Sequence, residues 1–274
     1  MRGRAPEAGH FVSSELVAHE LITHELVAHE LVAKGGSSEV RRATGVGGGV
    51  VALKMLKPEL RERAGARASL AREHDLLREL AHPHIVATLG LVELGGVPAL
   101  ALEYLGGGDL ASLAGAEPRH WLRAAADVGA ALRFMHARGY VHRDVKARNV
   151  LFDSTDRAKL IDFGSVLPIG AASAHGGATA AHRPPGRAPG PVAPADDCYA
   201  FAALLYELLA ARLPYGPSPT DAAPAPPSPL APGAGLTLRR LADLVLAALA
   251  SAGNVPGGLS DFLDVLESAA ATHS

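Results

Sequence analysis

The sequence predicts an α+β protein with two lobes, a small antiparallel β lobe with one helix and a larger, mainly helical lobe. Residues 30–56 alternate short apolar runs with glycine clusters, as in SSEVRRAT, GVGGG and VVALKML. This pattern is typical of three antiparallel strands joined by tight turns. From Trp121 onward the pattern is mostly helical, which places the boundary between the lobes near residues 105–109.

The composition limits the classes of protein. The 274 residues are 48% hydrophobic and 20% charged, as in a globular chain, and the formal net charge of −2 excludes a dedicated nucleic-acid binder. The single cysteine, Cys198, excludes an internal disulfide framework and a cysteine-based zinc site. Because no apolar run reaches the roughly 18 residues of a membrane span, we expect a soluble, cytoplasmic protein.

Four tandem pentapeptides precede the β lobe. The copies ELVAH, ELITH, ELVAH and ELVAK occupy residues 15–34. Steps of five residues give neither a helix nor a strand a single apolar face, so we expect residues 1–29 to form a flexible leader. The remaining boundaries are predicted at 30–104 for the N-terminal lobe, 106–266 for the C-terminal lobe (together one domain, 30–266) and 267–274 for a tail.

The other elements follow from local pattern. In the β lobe a Leu/Ala/Arg/Glu-rich helix is expected at 59–80, followed by the strands HIVATLGLVEL and VPALALEYL. Residues 217–235 contain seven prolines and predict an extended loop. In the helical lobe the predicted elements are the helices Leu122–Arg138, Leu238–Ala250 and Leu259–Ala271 and a hairpin of Val150–Phe152 with Ala158–Ile161.

One motif carries most of the chemical signal. His142-Arg143-Asp144-Val145-Lys146-Ala147-Arg148-Asn149 is followed, thirteen residues after its last residue, by Asp162-Phe163-Gly164. Here the sequence resembles the protein kinase family, of the eukaryotic-like Ser/Thr type also found in bacteria. The resemblance covers about residues 30–266 and implies a kinase-like fold and ATP- and Mg²⁺-dependent phosphoryl transfer to Ser/Thr hydroxyls of protein substrates.

The predicted hairpin agrees with the roles that the resemblance implies. Asn149 precedes its first strand and Asp162 follows its second, so an antiparallel pair places the two side by side, as Mg²⁺ ligands require. Asp144 is then expected to orient the substrate hydroxyl. Lys146 is expected to neutralise the transferring phosphoryl group, and a lysine here resembles Ser/Thr-directed kinases.

Val51-Ala52-Leu53-Lys54 matches the family's third-strand motif. The resemblance implies that Lys54 holds the α- and β-phosphates and pairs with a carboxylate on the following helix. Glu73 lies nineteen residues after Lys54 and shares a helix face with Leu77 and Leu80, so we expect a sheltered ion pair.

The glycine-rich loop of the family is altered in this chain. The family pattern falls on Ala33, Gly35, Ser38 and Val40, and only the middle glycine is kept, with Gly36 beside it. Backbone amides through Gly35–Ser38 are still expected to face phosphates. The expected nucleotide-binding residues of this segment are Val32, Ala33, Lys34, Gly35, Gly36, Ser37, Ser38 and Val40.

Further nucleotide contacts rest on the resemblance alone. The segment LEYLGGGD resembles the hinge, where the backbone of Glu103 and Leu105 pairs with the adenine edge. Ala52, Val40 and Leu151 are the residues expected to sandwich the ring.

Two aspartates open a later helix, in ADDCYAFAALLYELL. Asp197 matches the family aspartate that caps the catalytic-loop backbone. Asp196, one residue away, stays open as the alternative.

Departures from the family leave other functions open. The Ala-Pro-Glu end of the activation segment falls on Arg183-Pro184-Pro185-Gly186, without a glutamate, and Val255-Pro256 replaces its arginine partner. A nucleotide-binding pseudokinase or scaffold and a kinase-fold small-molecule phosphotransferase therefore remain alternatives to a protein kinase. The same departures leave open whether the kinase has an activating partner.

Overall fold

A computed structural model describes residues 26–45, 48–172, 182–184, 190–216, 235–254 and 257–273 of the chain. Most of the predicted leader, its residues 1–25, lies outside the described residues. The same holds for the proline-rich segment over 217–234 and for Pro185, Gly186 and the Val255-Pro256 pair.

The chain divides into two compact units. One contains the described residues up to Asp75 together with Ala87–Tyr104, and the other contains Leu76–Val86 and the chain from Leu105 onward. The first holds an antiparallel sheet and the second is mainly helical, which confirms the predicted α+β fold class.

The first unit is built on five antiparallel strands in the order β1-β2-β3-β5-β4. Their bounds are β1 Val27–Lys34, β2 Ser38–Thr44, β3 Val50–Leu56, β4 Thr88–Leu94 and β5 Val97–Glu103. Alternate side chains of β2, β3 and β5 form its core, with Ala43, Val51, Leu53, Met55, Ala99 and Ala101 all buried. β1 begins three residues before the predicted domain start at 30, so the last leader residues belong to the sheet.

Helix α1, Ala64–Glu79, follows β3 after a short 3₁₀ turn at Pro58–Leu60. The predicted single helix over 59–80 is therefore divided. The 3₁₀ turn begins at Pro58, whose ring fixes the backbone for a first turn, and a bend separates it from α1. Leu77 and Leu80 are buried, as their shared face with Glu73 predicts.

Four longer helices build the part of the second unit that the structure describes. They are α2 Leu122–Ala137, α3 Pro194–Ala210, α4 Leu236–Ala250 and α5 Leu259–His273. Helices α2 and α5 approach closely at Gly129, where a Cβ atom would come within 2.9 Å of the Leu263 side chain. Phe201 of α3 and Phe262 of α5 meet edge to face with ring centroids 5.6 Å apart. Among the described helices none is long and apolar enough to cross a membrane.

Short strands of the second unit position the site. β7 Val150–Phe152 pairs with β8 Ala158–Leu160, so the predicted hairpin is confirmed to within one residue. β6 Tyr140–Val141 pairs with β9 Leu167–Pro168. These two small sheets flank the His142–Asn149 segment and the Asp162–Gly164 segment.

Candidate active site

The segment His142–Asn149 brings three of the predicted residues into direct contact. Lys146 Nζ lies 2.7 Å from Asp144 Oδ2. The Asn149 side-chain amide donates to both the backbone oxygen and Oδ2 of Asp144, each at 2.8 Å. Asp144 and Asn149 are buried, whereas the Lys146 side chain is 23% exposed. Asp144 is therefore fixed by contacts with two neighbouring side chains, and solvent reaches this group at Lys146.

The β7–β8 hairpin brings Asn149 and Asp162 to the same end of the pair. The Ile161 N–H donates to the Asn149 carbonyl at 2.9 Å, so Asp162 follows directly after a residue bonded to Asn149. Because the Asn149 amide nitrogen is bonded to Asp144, its side-chain oxygen is the atom left for a cation. That oxygen and the exposed Asp162 carboxylate make a hard, oxygen-rich donor set suited to Mg²⁺.

Two residues of the site adopt the left-handed backbone conformation without being glycine. Arg143 has φ 71° and Asp162 has φ 65°. Such conformations cost on the order of 1–3 kcal/mol each and persist only where the surroundings enforce them. Arg143 directly precedes Asp144, and Asp162 is itself a predicted ligand of Mg²⁺.

Asp197 supplies part of that enforcement. The residue is completely buried, and its carboxylate accepts from the backbone N–H groups of His142 and Arg143, each at 2.8 Å. His136 Nε2 donates to the same carboxylate at 2.8 Å. The alternative, Asp196, instead accepts from the Ala193 N–H and caps helix α3.

His142 is the second support. Its Nδ1 accepts from the Asp144 N–H at 3.3 Å, and its Nε2 faces the Ile161 carbonyl at 3.2 Å. The imidazole packs edge to face on the buried ring of Phe163, with centroids 5.0 Å apart. Burial lowers the pKa of His142, against the opposing effect of nearby carboxylates including Asp197, so the ring is neutral near pH 7.

Arg143 contacts the segment that follows Asp162. Its guanidinium donates to the Ser165 carbonyl at 3.2 Å. The Asp162–Gly164 segment is therefore tied to the His142–Asn149 segment through a side chain as well as through the hairpin.

In the first unit the structure brings Lys54 and Glu73 together. Lys54 Nζ lies 2.7 and 2.9 Å from the two carboxylate oxygens of Glu73. Their side chains are 11% and 6% exposed. A two-point pair this sheltered is weakly screened by salt, and it fixes the position of the ammonium group.

The altered glycine loop is a tight turn between β1 and β2. Val32, Ala33 and Lys34 lie in β1, and Ser38 and Val40 lie in β2. The Gly35 N–H donates to the Ser38 carbonyl at 2.8 Å. The Gly35 amide therefore closes the turn instead of facing a phosphate, and the expectation for the amides of Gly36, Ser37 and Ser38 stays a prediction.

The predicted hinge residues are divided between the two units. Glu103 ends β5, where its N–H donates to the Ala87 carbonyl at 3.0 Å and its side chain accepts from the Ala87 N–H at 2.7 Å. Ala52 pairs with Leu102 in the same sheet. Leu105 and Leu151 lie in the second unit.

Sequence reasoning did not find His182. The residue is 7% exposed, and neither ring nitrogen has a hydrogen-bond partner among the described residues. Burial, and then the positive charge of Lys146, lower its pKa to about 4, against the opposing effect of Asp144. Its Nε2 lies 4.0 Å from Glu207 Oε2. The only sequence signal for His182 was its position in the segment after Asp162.

No sequence pattern pointed to His136 either, because its partner Asp197 lies 61 residues away.

Comparison with known proteins agrees with this geometry. The protein kinase domain family matches residues 26–223. A probable serine/threonine-protein kinase of Corynebacterium efficiens is 34% identical over 218 residues, 71% of this chain and 33% of that protein. Serine/threonine-protein kinase PknB of Mycobacterium leprae is 31% identical over 202 residues, covering 65% and 32%. CBL-interacting protein kinase 4 of Oryza sativa subsp. japonica is 37% identical over 144 residues, covering 49% and 32%.

The chain thus spans about a third of the length of each of these three relatives. The family match covers well over half of the chain and includes both the Lys54–Glu73 pair and the His142–Asp162 region. This protein belongs to the protein kinase family.

Proposed function

We propose that the chain transfers the γ-phosphoryl group of ATP to Ser or Thr hydroxyls of protein substrates. The observation that carries this proposal is the group formed by Asp144, Lys146 and Asn149, in which an ammonium and an amide each lie within 2.8 Å of the same carboxylate oxygen. A binding module has no need for this arrangement. The family supports ATP and a divalent cation in general terms.

Asp144 is the residue that orients the attacking hydroxyl. Its Oδ2 accepts from both Lys146 and Asn149, and these two contacts hold the carboxylate in a fixed orientation toward a substrate Ser or Thr hydroxyl. Orientation by a fixed carboxylate is valuable because phosphoryl transfer depends on in-line geometry more than on covalent chemistry.

Lys146 stabilises the charge on the transferring group. Its ammonium rests on Asp144 at 2.7 Å and is partly exposed, so a short movement brings it to a phosphoryl oxygen. A neutral His182 beside it preserves this role, because a second positive charge there would compete for the same anionic group.

Asn149 and Asp162 are the proposed ligands of Mg²⁺. The donor set fits the ion, since it offers one amide oxygen and one carboxylate, and Mg²⁺ completes its shell with phosphates and water. Among the described residues no group of three His, Cys, Asp or Glu side chains is placed to hold a metal by itself. When bound, the ion supplies charge neutralisation on the phosphate oxygens.

Lys54 is the proposed ligand of the α- and β-phosphates, held in place by Glu73. Around it, the turn residues Gly36 and Ser37, with flanking positions of β1 and β2, are proposed to cover the phosphates. The adenine contacts proposed from the family remain the Glu103 and Leu105 backbone with Val40, Ala52 and Leu151.

The test is transfer from radiolabelled ATP with Mg²⁺ to a generic protein substrate. We expect Asp144→Asn to lower the rate by about 10²–10⁴-fold. Asp156→Asn makes the same chemical change at an exposed hairpin turn and should leave the rate unchanged. A rate for Asp144→Asn within tenfold of the wild-type rate would overturn the proposal.

A nucleotide-binding pseudokinase is the second candidate. One observation favours it: the Gly35 amide is bonded within its turn, and the Ala33 and Ser38 side chains occupy positions where the family has glycine. Stabilisation by ATP and Mg²⁺ in thermal unfolding, with no transfer to protein or to small alcohols, would support this candidate. Transfer to small alcohols alone would indicate a small-molecule phosphotransferase. An activating partner and a cytoplasmic location stay predictions.

A further inference from the structure

We propose that Arg148 is a specificity-determining residue that keeps cationic side chains of the protein substrate out of a carboxylate subsite. The subsite is formed by Asp109 and Glu207, with His182 at its edge, and all four residues belong to the second unit. This inference rests on the proposed phosphoryl transfer, because it concerns the residues that flank the acceptor hydroxyl in a substrate.

Arg148 lies in the same short turn as the proposed transfer residues. It belongs to the 3₁₀ turn Ala147–Asn149, which directly follows Lys146. The Asn149 side chain bonds to Asp144 at 2.8 Å, so Arg148 is attached to a residue in contact with the carboxylate that orients the acceptor. An extended substrate rises about 3.3 Å per residue, so a long side chain a few positions from the acceptor can reach this guanidinium.

Asp109 provides the first carboxylate of the subsite. It is fixed beside the turn, because it forms a β-bridge with Leu151 and its Oδ1 accepts from the Ser112 N–H at 3.0 Å. Its Oδ2 lies 4.0 Å from Arg148 Nη1, which is beyond hydrogen-bond distance. The Arg148 side chain is 78% exposed. The guanidinium therefore lies over the carboxylate without being bonded to it.

Glu207 provides the second carboxylate, from helix α3. Burial raises its pKa, the charge of Arg148 opposes this rise, and the charge of Asp109 adds to it. The three charged groups are therefore close enough to influence one another. When Glu207 is ionised, two negative charges face one positive charge, so the subsite can attract a further cation.

His182 is an unpaired polar group at the edge of the subsite. Its ring is 7% exposed, and neither nitrogen has a hydrogen-bond partner among the described residues. Its Nε2 lies 4.0 Å from Glu207 Oε2, a gap that one donor atom can bridge with two hydrogen bonds of about 2.8 Å. Because burial and then Lys146 lower the pKa of His182 to about 4, the ring offers a lone pair and no positive charge. A guanidinium or ammonium, with several N–H donors, fits this position.

Arg148 is the cation best placed to compete for the subsite. It is covalently attached beside the two carboxylates, so its effective concentration exceeds that of a substrate side chain. A substrate arginine has to displace it and also approach its positive charge, and both effects oppose binding. We therefore expect the wild-type chain to show little preference for basic residues near the acceptor, and removal of Arg148 to create such a preference.

The experiment measures binding of fluorescently labelled peptides by anisotropy, so its result does not depend on transfer. Each peptide has alanine at the acceptor position, with arginine flanks in one peptide and glutamine flanks in the other. We expect the wild-type chain to bind the two with affinities within about threefold of each other. Arg148→Ala should bind the arginine peptide at least about fivefold more tightly than the wild-type chain does, because two partly exposed carboxylates are released.

Two further variants locate the effect. Asp109→Asn with Glu207→Gln, added to Arg148→Ala, should remove the gain, and asparagine still provides an oxygen for the Ser112 N–H. Arg157→Ala is the matched control, because it removes an equally charged, 58% exposed side chain from the β7–β8 turn. It should leave the affinities for both peptides unchanged. Circular dichroism verifies that each variant is folded.

The consequence for transfer is measured with the same flanks around a serine acceptor. In the radiolabel assay Arg148→Ala should raise kcat/KM for the arginine peptide and leave that for the glutamine peptide unchanged. Absence of transfer to every substrate, with the binding results as expected, would reject the proposed function and leave the subsite supported.

Four outcomes would each overturn the inference. The first is a wild-type chain that already prefers the arginine peptide by more than about tenfold. The second is an unchanged affinity for that peptide in Arg148→Ala. The third is a gain that survives the loss of both carboxylates, and the fourth is the same gain in Arg157→Ala.

Discussion

Replacing Asp197 should destabilise the second unit more than any other single change in the site. The carboxylate is completely buried and accepts three hydrogen bonds of 2.8 Å, from the backbone of His142 and Arg143 and from the His136 ring. In Asp197→Ala these three donors lose their acceptor in a site closed to water. Each buried donor left without a partner costs about 1–3 kcal/mol, so for three donors the free energy of unfolding should fall by about 3–9 kcal/mol.

That loss is large against the total stability of a domain, which is about 5–15 kcal/mol. Asp197→Asn keeps one acceptor oxygen but turns an NH₂ group toward donors, so we expect an intermediate loss of about 2–4 kcal/mol. The left-handed Arg143 relies on these bonds, so phosphoryl transfer should also fall under conditions where Asp197→Asn is still folded.

The assay is urea unfolding followed by fluorescence of Trp121, the only tryptophan, which is completely buried in the second unit. Asp196→Ala is the matched control on the same helix. It loses the capping bond from the Ala193 N–H and should cost only about 1 kcal/mol. The reasoning is refuted if Asp197→Ala costs no more than Asp196→Ala.

Three further predictions concern separate parts of the site. Lys54→Met and Glu73→Gln should each suppress transfer in the radiolabel assay, and the double variant should be no worse than Lys54→Met, because both act through one pair; additive losses would contradict the pair. Asp162→Asn should lower transfer at least about a hundredfold with the unfolding curve unchanged, since asparagine tolerates φ 65°; near-wild-type transfer would remove Asp162 from the metal site. The pKa of His182 is about 4 in the folded chain against about 6.5 unfolded, so the unfolded state binds more protons between these values. Through this group, stability should therefore fall by up to about 3 kcal/mol as pH drops from 6.5 to 4, so in urea titrations at both pH values the wild-type chain should lose more stability than His182→Gln by about that amount.

Local sequence was sufficient to predict the hairpin that brings Asn149 and Asp162 together. The β7–β8 hairpin lies within one residue of its predicted bounds, because strand alternation and a turn sequence are encoded in neighbouring residues. The Lys54–Glu73 pair was expected from the family resemblance, and helical spacing added only that Glu73 shares a face with Leu77 and Leu80. The roles of these residues in catalysis remain predictions.

The supports of the site could not be predicted in the same way. His136 and Asp197 are separated by 61 residues, and only the packing of α2 and α3 determines that they meet. Nor does a non-glycine residue at φ above zero give a sequence signal, so the conformations of Arg143 and Asp162 emerge only from the structure.

The pentapeptide repeat shows a different limit. A period of five reverses the face of every second copy in a regular strand, which is why no amphipathic strand was expected upstream of residue 30. β1 nevertheless begins at Val27, and its two register shifts insert extra residues relative to β2. A bulge shifts the alternation of side chains by one residue. A five-residue repeat, whose copies strict alternation would turn to opposite faces, can therefore still form part of an edge strand.

A buried, neutral His142 explains how the two strained residues are held together. Only the tautomer with a proton on Nε2 can donate to the Ile161 carbonyl while Nδ1 accepts from the Asp144 N–H. Protonation of Nδ1 would remove that acceptor, and burial opposes it by lowering the pKa of the ring. The His142 ring thereby bonds Ile161, which precedes Asp162, to the backbone of Asp144, which follows Arg143. It links the two residues that have the left-handed conformation. The proposed catalytic geometry therefore depends on a histidine that itself transfers no proton.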